Sequence, residues 1–90
     1  MLFMVIERFR NGDADAVYRR FHEQGRMQPD GLKYVDSWID VNLERCFQVM
    51  ECDDSRLLQQ WVARWHDLME FEIVPVTTSK DTKGLLKQAL

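Results

Sequence analysis

The sequence predicts an α+β domain in which a four-stranded antiparallel sheet carries two helices on one face. Three observations predict it. Runs with strand alternation and runs with helical spacing succeed one another in the order strand–helix–strand–strand–helix–strand. The two middle strands are joined by a short loop, whereas the outer pairs are each bridged by a helix. Both parities of the first and last strands are apolar, although only two helices are available to cover them. Leu2, Met4 and Ile6 oppose Phe3, Val5 and Phe9 in the first, and Phe71 and Ile73 oppose Val74 and Val76 in the last. Alternate strand residues point to opposite faces, so a sheet with one wet face should alternate apolar and polar. A sheet apolar on both sides needs two covers, and another copy of the chain is the expected second one.

Residues 2–10 read as the first strand, which Asn11-Gly12-Asp13 breaks. Asp13 and Asp15 suit the positive end of a helix dipole, and Ala14, Val17, Tyr18 and Phe21 follow at amphipathic spacing. Gly25 sits where a left-handed residue ends a helix, and Pro29-Asp30-Gly31 is a turn because proline fixes its own φ and glycine tolerates a positive one. The second strand covers about 32–41 and the third about 45–51, joined around Asn42-Leu43-Glu44. Asp53-Asp54-Ser55 opens the second helix, whose buried stripe is Leu57, Leu58, Trp61, Val62 and Trp65. Residues 70–76 form the last strand, with Pro75 at an edge position where a missing N–H costs little. The domain is expected over 1–78. A polar tail over 79–90 offers Leu85, Leu86 and Leu90 to a short helix.

This order is the βαββαβ plan of the ferredoxin-like fold. Right-handed crossovers place both helices on one face and leave the other bare. Two such sheets packed face to face make a dimeric α+β barrel, so the expected partner is a second copy bound through the helix-free face.

Composition narrows the function classes. Ninety residues make one small domain, and 46% hydrophobic with 30% charged residues describes a globular chain. The net charge of −3 comes without a basic stripe, which argues against nucleic acid. No apolar run reaches the roughly 18 residues of a membrane span, and Met1–Glu7 reads as a strand rather than a secretory leader. Cys46 and Cys52 lie six apart in extended chain, too far for a disulfide. Reduced cysteines and no leader make the expected compartment cytoplasmic. His22 and His66 match no metal-ligand spacing with them, so neither metal nor cofactor is expected.

Candidate pocket residues follow from register. An odd-numbered loop between the middle strands would set Trp38 opposite Gln48 and Ile39 opposite Phe47. Tyr34, Asp36 and Trp38 would then share a face with Cys46, Gln48 and Met50, looking away from the helices into the barrel. The pattern leaves the facing of the first strand open. If Phe3, Val5, Glu7 and Phe9 point the same way, Glu7 joins an aromatic-walled pocket with a carboxylate and an amide, suited to a small apolar or aromatic molecule. A carboxylate desolvated there would act as general acid or base. The competing reading keeps Glu7 and Asp36 at the rims, paired with Arg8, Arg45 or solvent. Trp61 and Trp65 read as core.

The stretch Phe71-Glu72-Ile73-Val74-Pro75-Val76, preceded by Ala63-Arg64-Trp65-His66-Asp67-Leu68, carries a resemblance, together with Val5-Ile6-Glu7, Asp36-Ser37-Trp38 and Phe47-Gln48-Val49-Met50-Glu51. Over roughly residues 1–76 the chain resembles a bacterial domain-of-unknown-function family of small dimeric α+β-barrel proteins. The resemblance implies the fold and brings no activity with it. Wider relatives of the fold include small monooxygenases, haem-degrading enzymes, muconolactone isomerases and stress-induced proteins. A haem-degrading relative would cast His66 as ligand, with Trp38 and Glu7 or Gln48 around the ring. A plainer role for His66 is a polar group near a helix C-terminus. The first expectation is a protein binding a small molecule in a pocket between sheet and helices or within the barrel. The alternative is an interaction module with a filled barrel interior, and a cofactor-independent monooxygenase or isomerase is more remote.

Overall fold

The computed structural model describes residues 1–89, with side chains through Lys87. Strand β1 (Leu2–Phe9) runs through a single 3-10 turn at Arg10–Gly12 into helix α1 (Ala14–Gln24). Strands β2 (Lys33–Ile39) and β3 (Arg45–Glu51) form a hairpin; helix α2 (Arg56–Ala63), strand β4 (Met69–Val76) and helix α3 (Ser79–Ala89) complete the chain. The sheet order is β2-β3-β1-β4, every neighbouring pair antiparallel, so the fold is α+β and ferredoxin-like. Leu90, grouped with Leu85 and Leu86 from the sequence, lies outside the described residues.

Local chemistry places the helices. Asp13 accepts the N–H of Ala16 and caps α1, while Gly25 at φ 72° ends it with its N–H on the Phe21 carbonyl. At α2 the Asp54 carboxylate takes the N–H of Arg56, and Ser55 makes no side-chain cap. The regular part of α2 stops at Ala63, yet the following turn still carries Trp65 into the core. Gly31 sits at φ 92°, where an added Cβ would also crowd the Leu57 side chain at 3.0 Å. Phe3, Val5, Phe9, Met50, Leu58, Trp61, Trp65 and Met69 form the core between sheet and helices.

Two sequence expectations are corrected here. The hairpin register is not the one an odd loop gives: Trp38 pairs with Phe47, Ser37 with Gln48 and Ile39 with Cys46. The Asp40 carboxylate fixes the turn, since its Oδ1 accepts the N–H groups of both Glu44 and Arg45. Leu43 turns at φ 61°, and four residues lie between Asp40 and Arg45, whose backbones are hydrogen-bonded. A one-residue slip turns a strand over, so Asp36 and Trp38 pair with Val49 and Phe47 and do not share a face with Cys46, Gln48 and Met50, although they do look away from the helices as expected. An irregularity between Tyr34 and Asp36 then returns Tyr34 to the side of its partner Met50.

The second correction concerns facing. Cys46, Gln48 and Met50 lie beneath the helices rather than away from them, and Glu7, whose facing the sequence leaves open, lies there with them; Glu7, Gln48 and Met50 are buried. The apolar stripe of α2 settles on Phe3, Val5 and Phe9, and Leu2, Met4, Ile6, Phe47, Val49, Val74 and Val76 take the other face. Every described side chain of α3 is exposed, Leu85 and Leu86 included.

Candidate functional site

A cavity of about 270 Å³ opens between the sheet and the helices. Its floor is built by Glu7 and Phe9 of β1, Cys46 and Gln48 of β3, and Ser37 of β2. Val17, Tyr18 and Phe21 of α1 form one wall, and Trp61 of α2 with Trp65 just beyond it forms the other. Arg26, from the loop after α1, enters as a cation among these rings.

A polar chain crosses this apolar space. The Gln48 amide donates to Glu7 Oε1, and Arg26 Nε donates to Gln48 Oε1 at 3.1 Å. Glu7 is 3% exposed and Gln48 4%, so neither relies on bulk water. Burial pushes the Glu7 carboxyl up to about 7, against the opposing pull of the Gln48 amide and the Arg26 charge. The Cys46 thiol is pushed up to about 12, first by burial and then by the Glu7 charge beside it, and so stays protonated. Burial also raises the Tyr18 hydroxyl, helped by Cys46 and Glu7.

Arg26 is held from several sides. The indole N–H groups of Trp61 and Trp65 both donate to its main-chain carbonyl at 2.9 Å. Gly25 before it and Met27 after it take positive φ, and the Arg64 guanidinium binds the Met27 carbonyl at 2.5 Å. The Arg26 guanidinium lies 3.7 Å from the centre of the Tyr34 ring and 5.1 Å from that of Phe21. Among the described residues no carboxylate forms an ion pair with it. Above the cavity, Arg20 grips Asp67 through two hydrogen bonds of 2.7 and 2.8 Å and ties α1 to the turn after α2.

Of the residues singled out from the sequence, Glu7 and Gln48 meet in this cavity. Tyr34 stands next to it, against Arg26, with its hydroxyl 2.6 Å from Ser37 Oγ. Asp36 and Trp38 are exposed and face away, Asp36 accepting the N–H of Ser37. His66 is exposed on the turn after α2 and lines no part of the cavity; its carbonyl accepts Arg10 Nε. Sequence reasoning did not single out Arg26. A buried tryptophan N–H needs an acceptor, so the pair Trp61 and Trp65 was the available sign that a loop carbonyl must come to meet them.

The cavity thus joins ring-lined walls to a carboxyl group that is half ionised near neutral pH, an amide and a cation. Such a set can hold a small apolar molecule by its polar end and exchange a proton with it. Among the described residues, no group of three or more His, Cys, Asp or Glu is placed to hold a metal ion, and no helix is long and apolar enough to cross a membrane.

Comparison with known proteins adds the fold and the family. A solved structure, protein Atu4242 from Agrobacterium tumefaciens, superposes with a TM-score of 0.53 over 88% of this chain and 96% of that one. At 15% identity the likeness shows the shared fold. No curated protein matches. The family model described as a domain of unknown function, DUF3303, matches residues 1–90, and the chain belongs to that family.

Proposed function

We propose that this protein binds a small, largely apolar or aromatic molecule in the cavity between its sheet and helices, and that it does so as a homodimer in the cytoplasm. The observation that carries the reading is the joined arrangement of Glu7, Gln48 and Arg26 inside a ring-lined space of about 270 Å³. A packed core leaves few voids larger than a water molecule, and an interaction module would have no use for a buried carboxyl in such a void. An apolar cavity of about 150 Å³ already accepts benzene, so the space here suits one substituted ring. The free thiols of Cys46 and Cys52 agree with a reducing compartment. The apolar strip on the helix-free face, with Met4, Ile6, Phe47 and Val49 half-buried and Val74 exposed, supports a second copy as its cover.

Glu7 favours a second reading, in which the bound molecule also reacts. A carboxyl titrating near 7 is matched to proton transfer at neutral pH. Isomerisation by removing a proton at one ligand atom and returning it at another needs no cofactor.

Native mass spectrometry of the protein purified from its own host tests the binding reading. A dimer with a reproducible additional mass of small-molecule size is expected. Protein with no added mass, whose melting temperature is also unmoved by a panel of small aromatic compounds, would overturn it.

A further inference from the structure

We infer that the ligand of this cavity is a planar monoanion, an aromatic carboxylate, with its negative group against the outer nitrogens of Arg26. The inference rests on the binding reading above. Of the residues that line the cavity, only Arg26 and Glu7 ionise to a charge at neutral pH. Arg26 has spent only Nε, on Gln48, and its two terminal nitrogens make no hydrogen bond among the described residues. Those two nitrogens are the end of the guanidinium that meets a carboxylate with two parallel bonds. Tyr34 and Phe21 flank the guanidinium and the Trp indoles fix its main chain, so the fork is held in place before any ligand arrives. Phe9 on the floor and Tyr18, Trp61 and Trp65 on the walls favour a flat, conjugated body. One cation compensates one negative charge, and a dianion would leave the second buried without a partner.

Glu7 then makes binding depend on pH. The groups facing it are Cys46 and the Gln48 amide from β3, Tyr18 from α1 and Arg26 from the loop, while Phe71 of β4 and the two Trp residues bring no charge. With Glu7 protonated the cavity carries the net positive charge of Arg26; with Glu7 ionised it carries none. An anion therefore binds the protonated form better, and binding takes up a proton.

Calorimetric titration of the full chain with benzoate and with its uncharged isostere benzamide, at pH 6 and pH 8, tests this. Benzoate should bind about tenfold tighter than benzamide at pH 6. For a group titrating at about 7 that advantage should shrink about tenfold by pH 8, and Glu7→Gln should remove the pH dependence. Arg26→Gln keeps the main-chain carbonyl that the indoles use, so it should fold, bind benzamide as before and lose the preference for benzoate. Arg26→Lys, which keeps the charge without the fork, should retain part of that preference and serves if Arg26→Gln does not fold. Benzamide binding as tightly as benzoate, or an undiminished preference in either Arg26 variant, would overturn the anion assignment and leave the cavity a binding site. Failure of both probes to bind wild type would overturn this inference, and the binding reading falls with it only where native mass spectrometry and the aromatic panel are also empty.

Discussion

Glu7 is the residue on which chemistry and stability meet. It lies on the same strand parity as Phe3, Val5 and Phe9, and α2 cannot bury those three without burying it. Its folded-state titration near 7 stands above its ordinary value of 4.5, so the folded chain holds that proton more tightly than the unfolded one. The associated stability is complete below pH 4.5 and is lost as the pH rises through 7. The loss is on the order of 3 kcal/mol. Glu7→Gln keeps an acceptor for the Gln48 amide and removes the charge. Its melting temperature should match wild type near pH 4.5 and exceed it at pH 8, as followed by circular dichroism; equal melting at both would place Glu7 in contact with water. Glu7 and Gln48 were legible in the sequence as polar residues on otherwise apolar strand parities. Arg26 was not, because a basic residue after a helix-ending glycine is ordinary and its setting depends on tryptophans about 35 positions away.

The hairpin of β2 and β3 shows why elements were easier to read than their register. Alternation located both strands, but the parity of the joining loop was set by the single carboxylate of Asp40 gathering the N–H groups of Glu44 and Arg45. Those bonds and the Arg45 guanidinium hold the Asp40 carboxyl below its usual range, so its support exists above pH 4 and fades on acidification. Asp40→Ala should lower the melting temperature at pH 7 and speed hydrogen exchange at Glu44 and Arg45; unchanged exchange there would mean that the turn holds its register without the side chain. The helices are clasped separately. Arg20 holds the Asp67 carboxyl at about 2, and the pair bridges α1 and the turn beyond α2 above the cavity. Because Asp67 is more than half exposed, Arg20→Gln should cost only about 1 kcal/mol in chemical denaturation. No measurable loss would show that packing alone positions the helix roof.

At the scale of the whole molecule, the order of elements was readable from periodicity, and the two-layer form of 49 × 30 × 17 Å follows from it. Which sheet face the helices cover was not readable, because apolar residues occupy both parities. Trp61 and Trp65 close over a cavity shared with Glu7 and Phe9 of β1 and Cys46 and Gln48 of β3, a fit that hydropathy does not encode. The face left bare carries Val74, while Val5 is wholly buried under the helices. In the proposed dimer this face is the contact, so a charge at Val74 should yield a folded monomer in sedimentation analysis, whereas a charge at Val5 should prevent folding. A Val74→Arg variant as dimeric as wild type would assign the contact to another surface, such as the exposed helix α3. Heteronuclear NMR locates the ligand that we propose for the cavity under the helices. Small aromatic carboxylates would be titrated into the labelled full chain while the Trp61 and Trp65 indole N–H and Gln48 amide resonances are followed. Shifts should concentrate on those groups and on Cys46. Shifts confined to Phe47, Val49 and Trp38 on the open face, or to α3, would contradict it.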